Sequence, residues 1–142
     1  MRPVDQTGYG VSDGNCLSAA LASILEVPVE AVPRFVRVDG RLLGWLADRA
    51  LSASVFPAGT PPAGYSIAVG PSLRFAGLMH ACVAYDGAVV HDPHPSREGL
   101  PIGAAAYVVV HGPRGEVMWF SGRSRAPWVS LAAAPASAAR RR

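Results

Sequence analysis

The sequence contains no lysine, so all 13 of its basic residues are arginine. Its formal net charge of +3 does not describe the body of the chain, because five of the arginines follow the last acidic residue, Glu116. The remaining 8 arginines stand against 10 acidic residues, a balance near −2. The basic charge therefore belongs to the end of the chain, and the sequence predicts no nucleic-acid partner.

Cysteine and long apolar runs are scarce as well. Cys16 and Cys82 are too few for the disulfide framework that is typical of small secreted domains. No apolar run is long enough to span a membrane, and residues 1–10 lack the apolar centre of a signal peptide. We therefore expect a cytoplasmic protein with no membrane partner and no cofactor, and a phage-encoded protein would show the same features.

The composition predicts one domain followed by a tail. Half of the 142 residues are hydrophobic, which is enough for one buried core. From residue 122 onward the sequence consists mostly of Ala, Pro, Ser and Arg. We expect a folded domain over residues 1–121 and a flexible tail over residues 122–142.

The periodicity of apolar residues predicts helices first and strands afterwards. Apolar residues recur at helical spacing over residues 17–25 and 39–52, with one short helical turn between them. Strand patterns follow over residues 65–69, 78–85, 88–92, 104–111 and 116–120. This order predicts an α+β fold in which the helices pack on one side of an antiparallel sheet.

Cys16 stands where the first predicted helix begins. Asp13 and Asn15 are candidate N-caps, which places Cys16 in the first helical turn. Unpaired backbone N–H groups and the positive end of the helix dipole favour a thiolate there. The alternative interpretation is a buried structural cysteine, since free Cys is among the most buried residue types.

A predicted β-hairpin supplies a possible base for this cysteine. A thiol becomes a nucleophile when a base reaches it and a third group orients that base. His80 lies on the first strand of the hairpin, and Asp92 lies at the end of the second. A three-residue loop over residues 85–87, closed by a left-handed Gly, would place His80 and Asp92 directly opposite each other. We expect this register, with the carboxylate of Asp92 accepting from a ring nitrogen of His80.

The motif over residues 14–16 at the start of an Ala/Leu helix, with the hairpin histidine and aspartate, resembles the papain superfamily of cysteine peptidases. The chain is most similar to the compact bacterial branch that includes bacteriocin leader-processing peptidases. The resemblance implies a papain-like fold and a catalytic set of Cys16, His80 and Asp92, with Gln6 and the Cys16 N–H forming the oxyanion hole. In that branch the glutamine usually stands closer to the cysteine than Gln6 does here.

The activity implied by this resemblance is hydrolysis of an acyl group through a thioester. Cys16 would attack a carbonyl carbon, His80 would protonate the leaving group, and water would resolve the thioester. Peptides, isopeptides, amides and thioesters all suit this chemistry, and we expect a peptide or protein substrate.

Two other interpretations remain open at this stage. The chain could be a binding module that keeps the fold without activity. A metal site is the second alternative, although Pro93 and Pro95 would turn two of its histidines apart and Cys82 is expected to be a packing residue. The possible metal ligands are His80, His91, His94, Asp92, Cys16 and Cys82.

Overall fold

The computed structural model describes residues 1–115. The strand predicted over residues 116–120 lies outside the described residues. The boundary between domain and tail at residue 121, and the tail itself, also lie outside them.

The fold is α+β, as the sequence predicts. The helices are Gly10–Asp13 (α1, a single turn), Cys16–Leu25 (α2) and Gly40–Ala47 (α3), with a 3-10 turn at Val29–Ala31. The strands are Ser52–Pro57 (β1), Tyr65–Pro71 (β2), Met79–Tyr85 (β3), Ala88–His91 (β4) and Ala106–His111 (β5). They form one sheet in the order β1-β5-β2-β3-β4, and every pair of neighbours is antiparallel. Within residues 1–115, no helix combines the length and hydropathy that a membrane crossing requires.

The central element is α2, which packs against β2 and β3. Residues 17–25 of this helix are all buried, although two of them are serines. Each serine binds a segment that covers the helix: the Ser18 hydroxyl donates to the Pro33 carbonyl at 2.7 Å, and the Val4 N–H donates to the Ser23 hydroxyl at 2.9 Å. The helix is therefore enclosed between the sheet and the chain segments that cross over it.

The second long helix is shorter than the periodicity predicts. Its start is confirmed, because the Asp39 carboxylate accepts from the first backbone N–H groups of α3. The prediction of helix over 39–52 is wrong at the other end, since α3 stops at Ala47 and β1 follows. Ala50 takes a left-handed φ of 57° in the connection. Glycine usually occupies such a position, so the sequence carries no signal for the end of this helix.

The turn between β3 and β4 has two residues rather than three. Tyr85 pairs with Ala88, which leaves Asp86 and Gly87 in the turn. Both have positive φ, 50° and 83°, as a type I′ turn requires. The predicted three-residue loop is therefore wrong.

A β-bulge in β4 adds one residue to this strand. It therefore changes the sheet face of the side chains that follow, as a third loop residue would have done. Two consecutive residues of β3 pair with Val89 and His91, which leaves Val90 as the extra residue. One extra residue moves the following side chains to the other face of the sheet. Asp92 therefore lies on the same face as His80, although the predicted direct pairing of these two residues is wrong.

We expect Gly87→Ala to lower the free energy of unfolding by about 2–3 kcal/mol, measured by urea denaturation. An added Cβ would lie 2.6 Å from the Cβ of Pro61, at a φ of +83°. The matched control is Gly77→Ala, at a φ of +80° with no heavy atom within 4 Å of the added Cβ. That variant should lose only about 1 kcal/mol, the cost of the left-handed backbone. Equal losses in the two variants would contradict a steric role for Pro61.

Candidate active site

Cys16 is the first residue of α2 and is half-buried. Asn15 occupies the N-cap position, but its side-chain oxygen accepts instead from the backbone N–H groups of residues 7–8, at 3.0 and 2.9 Å. The N–H groups of Ala81 and Leu17 donate to the sulfur of Cys16 and lower its pKa. The start of the helix therefore stabilises a thiolate instead of binding a capping side chain.

His80 joins this sulfur to the carboxylate of Asp92. Its ring lies on β3, is 5% exposed, and hydrogen-bonds to Cys16 on one side. On the other side its Nε2–H donates to Oδ1 of Asp92 at 2.7 Å. Since Nε2 is bound to the carboxylate, Nδ1 is the nitrogen left for the sulfur. The structure thus brings together the three residues that the sequence analysis placed in a catalytic set.

Asp92 is held by two backbone groups as well as by the histidine. Oδ1 also accepts from the N–H of His94 at 2.9 Å, and Oδ2 accepts from the N–H of Gly99 at 2.8 Å. The segment after β4 curls around the carboxylate to make these contacts. Asp92 is therefore fixed in orientation, and it holds the His80 ring in one orientation and one tautomer.

The charges of the three groups reinforce one another. Burial raises the pKa of Cys16, but the hydrogen bond and positive charge of His80 outweigh it, so the pKa is lowered overall. Burial lowers the pKa of His80, and its contacts with Cys16 and Asp92 reverse this and raise it. Burial likewise raises the pKa of Asp92, which the His94 N–H and then His80 bring below its usual range. These shifts favour a thiolate–imidazolium pair beside an ionised carboxylate.

Gln6 lies beside the segment that follows Asp92. It is 6% exposed, and its backbone N–H donates to the carbonyl of Pro93 at 3.1 Å. Its side-chain Nε2 donates to the Gly8 carbonyl at 2.8 Å, while Oε1 is buried without a hydrogen-bond partner among residues 1–115. The long spacing between Gln6 and Cys16 is taken up by α1, and the bonds between Asn15 and residues 7–8 close this loop. The glutamine backbone is thus bound to the segment that follows Asp92.

The candidate metal ligands do not converge as a set. His80, Cys82 and Asp92 place their ligand atoms within 4.8 Å of one another. Burial and the negative charge of Asp92 raise the pKa of Cys82, and this residue is fully buried. The ring of His91 is bound elsewhere, since its Nε2–H donates to the Val4 carbonyl at 2.9 Å. Because His80 and Asp92 already satisfy each other, this chemistry fits an acid–base pair better than a metal.

A cleft of about 310 Å³ opens beside Cys16 and His80. Apart from these two residues and Arg37, the residues around it are apolar. Three of them, Val36, Val55 and Met79, are more than half exposed, so the cleft is open to solvent. The remaining walls include Val38, Val69 and Val108. A substrate that reaches the sulfur would therefore lie against an apolar surface.

The sequence analysis did not identify this cleft. Val55 belongs to β1, which was not predicted, and Val36 lies in an irregular segment before α3. The alternation of small and apolar residues in β1 is the signal that could have revealed the strand, but the helical pattern before it extended too far. Only the pairing of β1 with β5 brings Val55 next to the nucleophile.

We expect Cys16 to react with iodoacetamide well below the ordinary thiol pKa of about 8.5. Its alkylation rate should follow the thiolate fraction, with a midpoint below that of an ordinary thiol because the pKa of Cys16 is lowered. In His80→Ala the midpoint should rise, because the paired positive charge and the hydrogen bond of His80 are lost. Peptide mapping distinguishes alkylated Cys16 from Cys82, whose raised pKa should keep it unreactive over the same range. An ordinary midpoint in the wild-type protein would contradict the ion pair.

Comparisons with known proteins find no significant match to this chain. No protein-family model matches the chain, and neither the curated proteins nor the solved structures contain a significant match. The functional interpretation therefore depends on the geometry of the site.

Proposed function

We propose that this protein is a cysteine-dependent acyl hydrolase, a peptidase or isopeptidase, with Cys16 as nucleophile. The observation that carries the proposal is the position of His80, which lines one cleft with Cys16, interacts with its thiol and hydrogen-bonds to Asp92 at 2.7 Å. A structural cysteine would need neither an imidazole partner nor a carboxylate that orients the imidazole. We include a peptide or protein substrate and a cytoplasmic location in the same proposal.

The proposed reaction begins with attack of the Cys16 thiolate on the carbonyl carbon of the substrate. The oxyanion that forms accepts hydrogen bonds from the Cys16 backbone N–H and from the Gln6 side-chain amide. The tetrahedral intermediate collapses as the imidazolium of His80 gives its proton to the leaving group, and a thioester remains on the sulfur. Neutral His80 then removes a proton from water, which attacks the thioester and releases the acid and the thiolate. Asp92 stabilises the imidazolium during both steps.

The arrangement of the elements supports a papain-like assignment as part of this proposal. The nucleophile starts a buried helix, the histidine comes from a strand of the sheet on which that helix packs, and the aspartate directly follows the neighbouring strand. This is the division of roles that the resemblance in the sequence implies. Gln6 precedes the nucleophile in the chain, as the same resemblance implies.

The cleft favours a substrate with one apolar group near the reacting carbonyl. Its volume of about 310 Å³ is at the small end of ligand sites in proteins. The cleft therefore suits one bulky aliphatic or aromatic group better than an extended ligand. Valine side chains from β1, β2 and β5 form much of its wall. An apolar substrate group that displaces water from these side chains would bind with a favourable free energy.

We expect Cys16→Ala and His80→Ala to abolish turnover of p-nitrophenyl acetate, followed as release of p-nitrophenolate. Asp92→Asn should lower kcat/KM by about 10²-fold or more, because the imidazolium loses its stabilising charge. Circular dichroism should show an intact fold in each variant. His111→Ala is the matched control, since this histidine bonds to Ser54 at the β1–β5 edge and should leave turnover unchanged. Full activity of Cys16→Ala would rule out the proposal.

A second measurement tests the apolar cleft. From the acetate to the butyrate ester, kcat/KM should rise about fourfold per added methylene, which corresponds to about 0.8 kcal/mol of buried CH₂. Val55→Asp should remove this dependence on chain length, measured as the ratio of butyrate to acetate turnover within each variant. Val90→Asp is the control, because Val90 is similarly exposed but lies in β4, outside the cleft. An unchanged dependence in Val55→Asp would show that the acyl chain binds elsewhere.

A further inference from the structure

The N-terminal segment that carries Gln6 is held between two parts of the site. On the nucleophile side, the backbone N–H groups of residues 7–8 donate to the side chain of Asn15, the residue before Cys16. On the side of Asp92, the N–H of Gln6 donates to the carbonyl of Pro93, the residue that follows the aspartate. These bonds fix the backbone on both sides of the Gln6 side chain.

Arg97 adds a side-chain contact to the same segment. Its guanidinium binds both carboxylate oxygens of Asp5, at 2.6 and 2.8 Å, and also donates to the backbone carbonyl of Asp92. Asp5 directly precedes Gln6, and Asp92 is the acid of the proposed triad. One side chain thus connects the segment of the oxyanion donor to the segment of the triad acid.

The geometry of the Arg97–Asp5 ion pair suits a role in positioning the neighbouring Gln6 better than a role in stabilising the fold. The Arg97 and Asp5 side chains are each about half exposed, at 49% and 52%, and exposed ion pairs add little to the free energy of folding. A bidentate guanidinium–carboxylate pair, however, restricts both distance and direction. An oxyanion donor depends on such restriction, because a misplacement of about 1 Å can cost two orders of magnitude in rate.

We propose that Arg97 is a positioning residue that holds Gln6 in place for oxyanion stabilisation by binding the neighbouring carboxylate of Asp5. The proposal rests on the proposed function, since it requires an oxyanion at Cys16. Arg97 touches no reacting atom in this scheme and acts through the backbone of residues 5–6. Its loss should therefore affect steps that form an oxyanion and spare steps that do not.

Two reactions of Cys16 separate these steps. Acylation by p-nitrophenyl acetate passes through an oxyanion, whereas alkylation by iodoacetamide is a direct displacement at carbon and forms none. Both require the thiolate. The ratio of the two rates thus reports the oxyanion hole separately from the activation of the sulfur.

The backbone of Arg97 allows its side chain to be removed without strain. Arg97 has a left-handed φ of 55°, where glycine is more comfortable than arginine. Arg97→Gly should therefore keep the melting temperature within about 3 °C of the wild type. The matched control is Arg74→Ala, which removes the arginine that binds Glu98 and Ser96 in the same loop and does not contact residues 5–6.

In Arg97→Gly we expect the acylation rate to fall about tenfold, with an unchanged alkylation rate. Gln6→Ala should lower acylation by about 10²-fold, again with unchanged alkylation. In the double variant Arg97→Gly should cause no further loss, because its effect passes through Gln6. Arg74→Ala should leave the ratio of the two rates at the wild-type value.

Three results would overturn the inference. Normal acylation of Arg97→Gly would exclude a positioning role, and equal losses in both reactions would mean that Arg97 acts on the thiolate instead. A further loss of about tenfold in the Gln6→Ala background would show that the two residues act independently. A wild-type protein whose Cys16 has an ordinary pKa and is not acylated would overturn the proposed function as well, which distinguishes the two failures.

Discussion

The packing of α2 against β3 is the contact on which the proposed site depends. The helix is buried along residues 17–25, so its first residue, Cys16, has a fixed position relative to the sheet. His80 is the second residue of β3, and its side chain meets that of Cys16 where the helix begins. The packing that buries the helix therefore also holds the nucleophile next to its base.

Burial and charge pairing act against each other throughout this site. Burial disfavours the charged form of Cys16, of His80 and of Asp92 alike, and each is nevertheless shifted toward its charged form. The shifts occur because the three groups alternate in sign and because backbone N–H groups support the two anionic ones. Removing any one group would leave its neighbour buried and unpaired, which is costly. The charged forms of these three groups are thus favoured only when all three groups are present.

The sequence predicted the α+β class and the shared face of His80 and Asp92, and its errors have physical causes. The α2 helix was predictable because Leu17, Leu21 and Ile24 recur at helical spacing. The Asp86-Gly87 pair is typical of the two-residue turn after β3, but the Val90 bulge that compensates for this turn has no glycine to mark it. The end of α3 was missed for the same reason, since Ala50 takes a conformation that usually needs glycine. The catalytic roles of these residues stay a prediction.

The protonation state of His80 tests the central claim most directly. ¹⁵N NMR of the imidazole distinguishes the doubly protonated ring from the neutral tautomers, and it requires no substrate. We expect the His80 ring of the wild-type protein to titrate above the ordinary imidazole pKa of about 6.5, because Cys16 and Asp92 raise the pKa of this ring. In Cys16→Ala, where the thiolate is missing, the midpoint should fall. A titration midpoint of His80 at or below the ordinary imidazole value in both proteins would contradict the thiolate–imidazolium pair and the function built on it.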